Sequence, residues 1–444
     1  MRDHPDNIRS VILDGVLPLQ PGLLESEYFD IATSLRALFD ACKSDDTCDT
    51  TFPNLEDVFY ETMDRFDADP VTVKDYDDEG NELSPEPLDG YNVMNLVVSS
   101  LRNEQWIPYV PFLIYQLRKG DPEIADGWSN SFSFSGVVPS ENLGATYAVL
   151  CSDDTAFNDP EKVTADREAH PRFVDPESRP FTLSLCELWG ARPNPIEDQP
   201  VVSNIPTLLL SGEFDPATPP YYAEMAGETL SNSQHVVVPH AGHGVGVDTA
   251  CGRRIVEQFL EYPGIATIME CLMSDDPIEF STGIYLNKGP RTWFSRWSEP
   301  KAGPDPVDQL AGLFLFYLST IIAWPIVFVV STVRKSPSST SAWAGRARVV
   351  AGLATVVNWA FWYWVAHYSM AGDITLNFGF HSWVRPFFII PYLTAIAAAF
   401  VVYLAYRAWR ERWWSWFGRL HYTLVALSLV SFTWFLSYWE FIGP

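Results

Sequence analysis

The chain has 444 residues, 47% of them hydrophobic, and carries 56 acidic against 29 basic side chains for a formal net charge of -27 at pH 7. Its length allows two or three domains, and its acidity excludes nucleic acid as a partner class, because a phosphate backbone is held by clustered Lys and Arg. The charge is uneven: about 52 acidic and 20 basic side chains precede residue 307, and about 4 and 9 follow it. The two parts therefore face different surroundings, with a boundary near Pro306.

In chain order, Arg9 to Asp14 (RSVILD) reads as a short buried strand closed by Gly15, the end of a core remnant over residues 1–20. Residues 21–200 read as a mainly helical insertion between two core strands. Ile31, Leu35, Leu38 and Phe39 recur at helical spacing, as do Leu55, Val58, Phe59, Thr62 and Phe66. Val71 to Leu83 alternates around a Glu-Gly-Asn turn and predicts a β-hairpin. Tyr91 to Leu101 and Pro111 to Arg118 predict further helices, the second ended by Gly120-Asp121-Pro122. The aromatic, Pro-rich stretch Trp106 to Tyr115 fits a pocket wall and a helix packing face equally well. Pro-rich Arg192 to Pro200 then returns the chain to the core.

The core segment, residues 201–275, contains Ile205 to Gly246. An apolar run from Thr207 to Leu210 ends in Gly-Glu-Phe-Asp-Pro, and a β-branched run from Val236 to Val238 ends in a His between two glycines. Loops leaving the carboxyl ends of parallel strands converge on one crevice, so Asp215 and His243 are expected to meet. A neutral His can take a proton from a nucleophile and return it to a leaving group, while a carboxylate on its other nitrogen fixes the tautomer. Each residue also has a plainer use: Asp215 can cap the helix expected near Ala217, and His243 can be an ordinary loop histidine. Taken together at two strand ends, they favour an acid and base pair.

The stretch Gly212 to Pro220 (GEFDPATPP) and the Gly242-His243-Gly244 run resemble the C-terminal part of secreted α/β-hydrolases of the tripeptidyl-aminopeptidase-like and proline-iminopeptidase-like group. The opening MRDHPDNIRSVILDGVLP resembles the strand that follows the nucleophile helix in that group. The resemblance covers roughly residues 1–275. It implies an α/β fold with a helical lid insertion, a Ser-Asp-His triad and peptidase activity. No G-x-S-x-G stands in the sequence, and Gly127 to Ser131 (GWSNS) lacks the last glycine, so Ser129 is not proposed as nucleophile. The expectation is a truncated chain whose serine lies upstream.

Cys42 with Cys48, Cys151 with Cys186 and Cys251 with Cys271 form three neighbouring pairs, which points to disulfides and an oxidising compartment. Zinc and free buried thiols are the competing readings, zinc being weakened by the lack of C-x-x-C spacing. No metal and no cofactor is expected. Cys151 to Asp154 (CSDD) resembles a stretch beside the crevice of family members, which makes Asp153 the candidate holder of a substrate amine. A solvated acid in an acidic loop is its alternative.

After a linker over 276–306, residues 307–444 hold four apolar runs, Leu310 to Val333, Val349 to Tyr368, Phe387 to Trp409 and Tyr422 to Ile442, each long enough to span a bilayer. Their near lack of charge and their terminal Trp and Tyr favour membrane helices over a buried soluble bundle. Arg334, Lys335, Arg346 and Arg348 in the first loop, and Arg407, Arg410, Arg412 and Arg419 in the third, put those loops on the cytoplasmic side and the N-terminal part outside. Asn358 and His367 are the notable polar residues within the runs, too few for a proton or ion path, so an anchor is expected.

The whole reads as the C-terminal part of an α/β-hydrolase sheet with a helical lid, followed by an all-α transmembrane region of four helices. Its expected function is that of a membrane-tethered, extracytoplasmic serine hydrolase acting on peptides. An ester hydrolase is the rival enzyme, and a non-catalytic surface binding or scaffold protein is the rival of another class. Substrate and lipid bilayer are the expected partners.

Overall fold

The structure is a computed structural model that describes residues 1–20, 22–73, 86–120, 122–129, 143–174, 181–190, 192–196, 198–265, 270–273, 278–286, 342–370 and 379–442, with 289, 320, 322, 324, 326 and 329 besides. Its described residues divide into two compact units, one ending at Thr282 and the other beginning at Gly283.

The first unit opens with strand β1 (Val11–Asp14), followed by helices α1 (Glu27–Ser44), α2 (Asp46–Thr51) and α3 (Leu55–Ala68). Strands β2 (Val71–Val73) and β3 (Glu86–Leu88) come next, then α4 (Gly90–Leu101), α5 (Val110–Lys119), α6 (Pro122–Ser129), α7 (Leu143–Val149), α8 (Pro160–Ala169) and α9 (Phe181–Trp189). The chain then forms β4 (Thr207–Gly212), α10 (Pro220–Gly227), β5 (Ser233–Val238), α11 (Val245–Asp248), α12 (Ala250–Glu261) and α13 (Glu270–Met273).

Strands β1, β4 and β5 make a parallel sheet in the order β1-β4-β5. Strand β4 lies between the other two and every one of its residues is buried, which is why it reads as a continuous apolar run. Side chains alternate across it. Leu208 and Leu210 pack with Val238, Val245, Ile255 and Phe259, whereas Leu209 packs on the other face with Val16, Ala223 and Leu230.

The insertion is helical where its apolar period is helical. Helix α1 buries Leu35, Leu38 and Phe39, and α3 buries Leu55, Val58, Phe59, Thr62, Met63 and Phe66; Ile31 is half-buried. The first turn of α1 is satisfied from a distance: the Asp166 carboxylate on α8 accepts from the Tyr28 N–H at 2.8 Å and the Phe29 N–H at 3.1 Å. The Asp89 side chain caps α4 through the Asn92 N–H, and Gly120, at φ 78°, ends α5. The hairpin expected over 71–83 is wider than that. Val71 pairs with Leu88 and Val73 with Glu86, so the returning strand lies beyond Leu83, while the Glu-Gly-Asn turn falls outside the described residues.

All three cysteine pairs are disulfides, Cys42–Cys48, Cys151–Cys186 and Cys251–Cys271. None of the six is left as a thiolate ligand for zinc.

The second unit contains β6 (Ile284–Leu286), α14 (Ala342–Met370), β7 (Gly379–His381), α15 (Ile389–Arg410) and α16 (Trp416–Tyr438). Strands β6 and β7 pair antiparallel, so this part is not purely helical. Their runs are three residues long, too short to show a strand period. Among the described residues two helices, Ser382–Arg410 and Trp416–Tyr438, are long and apolar enough to cross a membrane, and a four-span region is not shown. Most of the expected first span, 310–333, lies outside the described residues, and the second falls within α14. The last helix starts at Trp416, ahead of the apolar run from Tyr422, where the Ser415 side chain caps it by accepting from the Gly418 N–H; the Arg419 guanidinium of its first turn lies 4.9 Å from the Trp409 ring. Buried Ala344, Ala347 and Ala351 on α14, with Ala398, Ala405 and Ala408 on α15, contribute small side chains to a shared core. Asn358 is buried and accepts a hydrogen bond from Thr394 across these helices at 2.6 Å. His367 stacks on Tyr363.

Candidate active site

The carboxyl ends of all three parallel strands meet at one place. Beyond β4, the chain turns at Asp215, whose Oδ1 accepts from the N–H groups of Ala217 (2.8 Å) and Thr218 (3.0 Å). Its Oδ2 accepts from the Thr218 hydroxyl at 2.6 Å and lies 2.8 Å from His243 Nδ1. One Asp215 oxygen thus closes the local turn while the other meets Thr218 and the imidazole. The capping use differs in detail, since Asp215 closes a local turn and α10 begins only at Pro220. From the insertion, Ser34 on α1 donates to the Asp215 carbonyl at 2.9 Å.

His243 follows β5 on the Gly242-His243-Gly244 loop, and the glycines there serve close backbone approach. A Cβ on Gly242 would stand 2.2 Å from the Leu101 carbonyl oxygen, and one on Gly212 would stand 1.9 Å from the Gly242 carbonyl oxygen. The end of α4 thus presses on the His loop, and the His243 N–H donates to the Arg102 carbonyl at 2.9 Å. At the end of β1, Gly15 takes φ 71°, and a Cβ there would come within 2.7 Å of His243 Cε1.

The hydrogen bonds settle the tautomer. Thr218 gives its only hydroxyl proton to the acceptor-only Asp215 carboxylate, so toward Nδ1, 3.2 Å away, its oxygen can only accept. Nδ1 carries the proton, and the lone pair is on Nε2. The Asp215 side chain is fully buried and that of His243 is 41% exposed. Burial raises the Asp215 pKa, but hydrogen bonds from His243 and Thr218 and the charge of His243 outweigh it and hold the carboxyl below its usual range. The hydrogen bond to Asp215 lifts His243 above its ordinary value, with desolvation and Arg102 opposing and the Asp215 and Asp14 charges assisting. Such a pair can accept a proton at Nε2 and stabilise the imidazolium that results.

Asp153 takes no part in the hydrogen bonds that join Asp215, Thr218 and His243. Asp153 is exposed on the turn Leu150–Asp154, and its neighbour Asp154 points inward, accepting from the Leu23 N–H at 2.9 Å. Ser129 is buried at the end of α6. Thr218 and Asp14, which sequence reading left without a role, both stand at the site. Thr218 has a sequence signal, three residues after an Asp in a Pro-rich turn. Asp14 accepts from the Gly246 N–H at 2.8 Å, a contact between residues 232 apart that no local pattern shows.

Residues 177–270, which contain both Asp215 and His243, match the family model of the TAP-like protein. That family is one of α/β-hydrolases. No curated protein matches the chain. The TAP-like match begins within the second half of the insertion and ends at α13, so it takes in β4, β5 and both loops that carry the pair.

Proposed function

We propose that this protein is a membrane-tethered serine hydrolase, acting as an aminopeptidase-like peptidase, in which Asp215 orients His243 and His243 moves the proton between a serine nucleophile and the leaving group. The observation that carries the reading is the Asp215–His243 pair, with its proton placed on Nδ1 and Nε2 free to act as base. The TAP-like match supports acyl transfer as the reaction class. Three disulfides support an extracytoplasmic position for the first unit. Along α15, Ile389, Leu393, Ile396 and Phe400 are 40–68% exposed and recur at i, i+4, i+7 and i+11. Such a stripe is at home against lipid, which supports the tether.

The test is labelling of the native protein with a fluorophosphonate, which captures an activated serine. A labelled serine, mapped by mass spectrometry and lost in His243→Ala, is the expected result. A native protein that takes no label while remaining folded would favour the non-catalytic binding role, which the lack of a G-x-S-x-G in the sequence keeps in view. Within the enzyme reading, Asp153→Asn should lower turnover of free-amino peptides and spare a neutral ester of similar size if Asp153 holds the substrate amine. Equal loss on both substrates removes that role.

A further inference from the structure

We propose that Asp14, at the carboxyl end of β1, is a positioning residue for His243, anchoring the loop that carries the imidazole and adding a second negative charge to its surroundings. The inference rests on the reading of Asp215 and His243 as acid and base.

Asp14 pairs in register with Leu210, so it leaves β1 beside the strand that leads to Asp215. Its Oδ2 accepts from the Gly246 N–H at 2.8 Å, and a Cβ on Gly246 would stand 3.0 Å from that oxygen. Gly246 lies in α11, three residues after His243, so this contact fixes the exit of the histidine loop. Gly15, the next residue after Asp14, lies against the imidazole itself. The end of β1 therefore holds His243 twice, by its ring and by its loop.

The second oxygen of Asp14 has no such use. Oδ1 is buried and, among the described residues, meets no donor in full hydrogen-bond geometry, the Val245 amide acting on the carboxylate only from outside it. A buried carboxylate oxygen without a donor is unfavourable for folding, and an amide or a hydroxyl could anchor Gly246 as well. What a carboxylate adds is charge. The charged groups acting on His243 are Asp215 and Asp14 on one side of the balance and Arg102 on the other. Those acting on Asp14 are His243 and Asp215. On α11, Asp248 faces Gly244, 3.4 Å from where its Cβ would be. Burial lifts the Asp14 carboxyl above its usual pKa, while the Gly246 amide, His243 and the Val245 amide pull it down and Asp215 pushes it up.

The experiment follows His243 without requiring turnover. Diethyl pyrocarbonate acylates only neutral imidazole, so its rate at His243 against pH, read by tandem mass spectrometry on the full chain, gives the titration midpoint of that ring. Asp14→Asn keeps the volume and an acceptor for Gly246 but removes the charge. Its His243 midpoint should fall by about half a pH unit, with cooperative thermal unfolding retained. Asp215→Asn, measured alongside, should lower the midpoint further. An unchanged midpoint in Asp14→Asn beside a lowered one in Asp215→Asn overturns this inference and leaves the acid and base pair standing. An unchanged midpoint in both overturns the pair as well. Asp14→Leu removes anchor and charge together, and amide exchange at Gly246 should quicken in it and stay slow in Asp14→Asn; equal exchange in the two variants would remove the anchoring role.

Discussion

At the scale of single residues, the site is a set of hydrogen bonds with one consistent direction: Thr218 to Asp215, His243 Nδ1 to Asp215, and Nε2 left to accept. Under the proposed function, His243→Ala should abolish hydrolysis, and Asp215→Asn should reduce turnover on the order of 10⁴, the precedent set by a triad enzyme. Because His243 titrates above its ordinary 6.5, hydrolysis should rise with pH through a midpoint higher than 6.5. A midpoint below 6.5 would mean that another group is the base. Thr218→Val keeps the shape and removes the donor, so it should cost about tenfold in turnover, the equivalent of one hydrogen bond to a charged group. Unaltered kinetics in that variant would reduce Thr218 to packing. The meeting of Asp215 and His243 was legible in the sequence because each follows a short apolar run and each neighbours glycine or proline. Asp14 was not, since its contact is with a residue 232 positions away, and Thr218 offered only its place three residues after Asp215. Asp153 and Asp154 show the same limit: in a run of acids, the turn over Leu150–Asp154 decides which one faces the protein, and nothing in the composition does.

Among the elements, α1 is fastened to α10 through a buried acid. Asp30 accepts from the hydroxyls of Tyr221 and Tyr222, the latter at 2.8 Å, and Ser26 and Tyr222 share a hydrogen bond at 2.7 Å. Burial pushes the Asp30 pKa up to about 6 against these hydrogen bonds, with Asp166 adding to the rise. A carboxyl raised in the folded state stabilises the fold fully below the unfolded value near 3.8, and that contribution is lost as pH rises through 6. The loss amounts to about 3 kcal/mol. Chemical unfolding of the wild type should therefore show this component falling between pH 4 and 7, and Asp30→Asn should flatten it. Parallel pH profiles in the two proteins would contradict the account. The disulfides make a second comparison. Cys151–Cys186 spans 35 residues, Cys251–Cys271 spans 20 and Cys42–Cys48 spans 6. Chain entropy then ranks their removal at about 4, 3 and 2 kcal/mol, and paired Cys→Ser variants in thermal unfolding should keep that order. Helix periods and strand runs were readable here. The β6–β7 pair and the width of the β2–β3 hairpin were not, because three-residue strands carry too little pattern.

For the whole molecule, acidity and apolarity are segregated along the chain, and so is the expected solvent. If the stripe on α15 faces lipid, the full chain should stay with membranes through an alkaline carbonate wash, and its quantitative release would refute the tether. Replacing Ile396 and Phe400 with Glu should weaken that retention, since each would place a charge where hydrocarbon is expected. The break in composition near Pro306 was visible from charge alone. Which of the apolar runs cross a bilayer was not, because an apolar run states its length and not its surroundings.

The contact of three backbones at Gly212, Gly242 and the Leu101–Arg102 corner has a consequence for kinetics in solution. The insertion cannot lift away at the end of α4 without freeing the amide of His243, which is tied to the Arg102 carbonyl. Deuterium uptake at that single amide would therefore clock the opening of the insertion, and a ligand that closes the insertion should slow it.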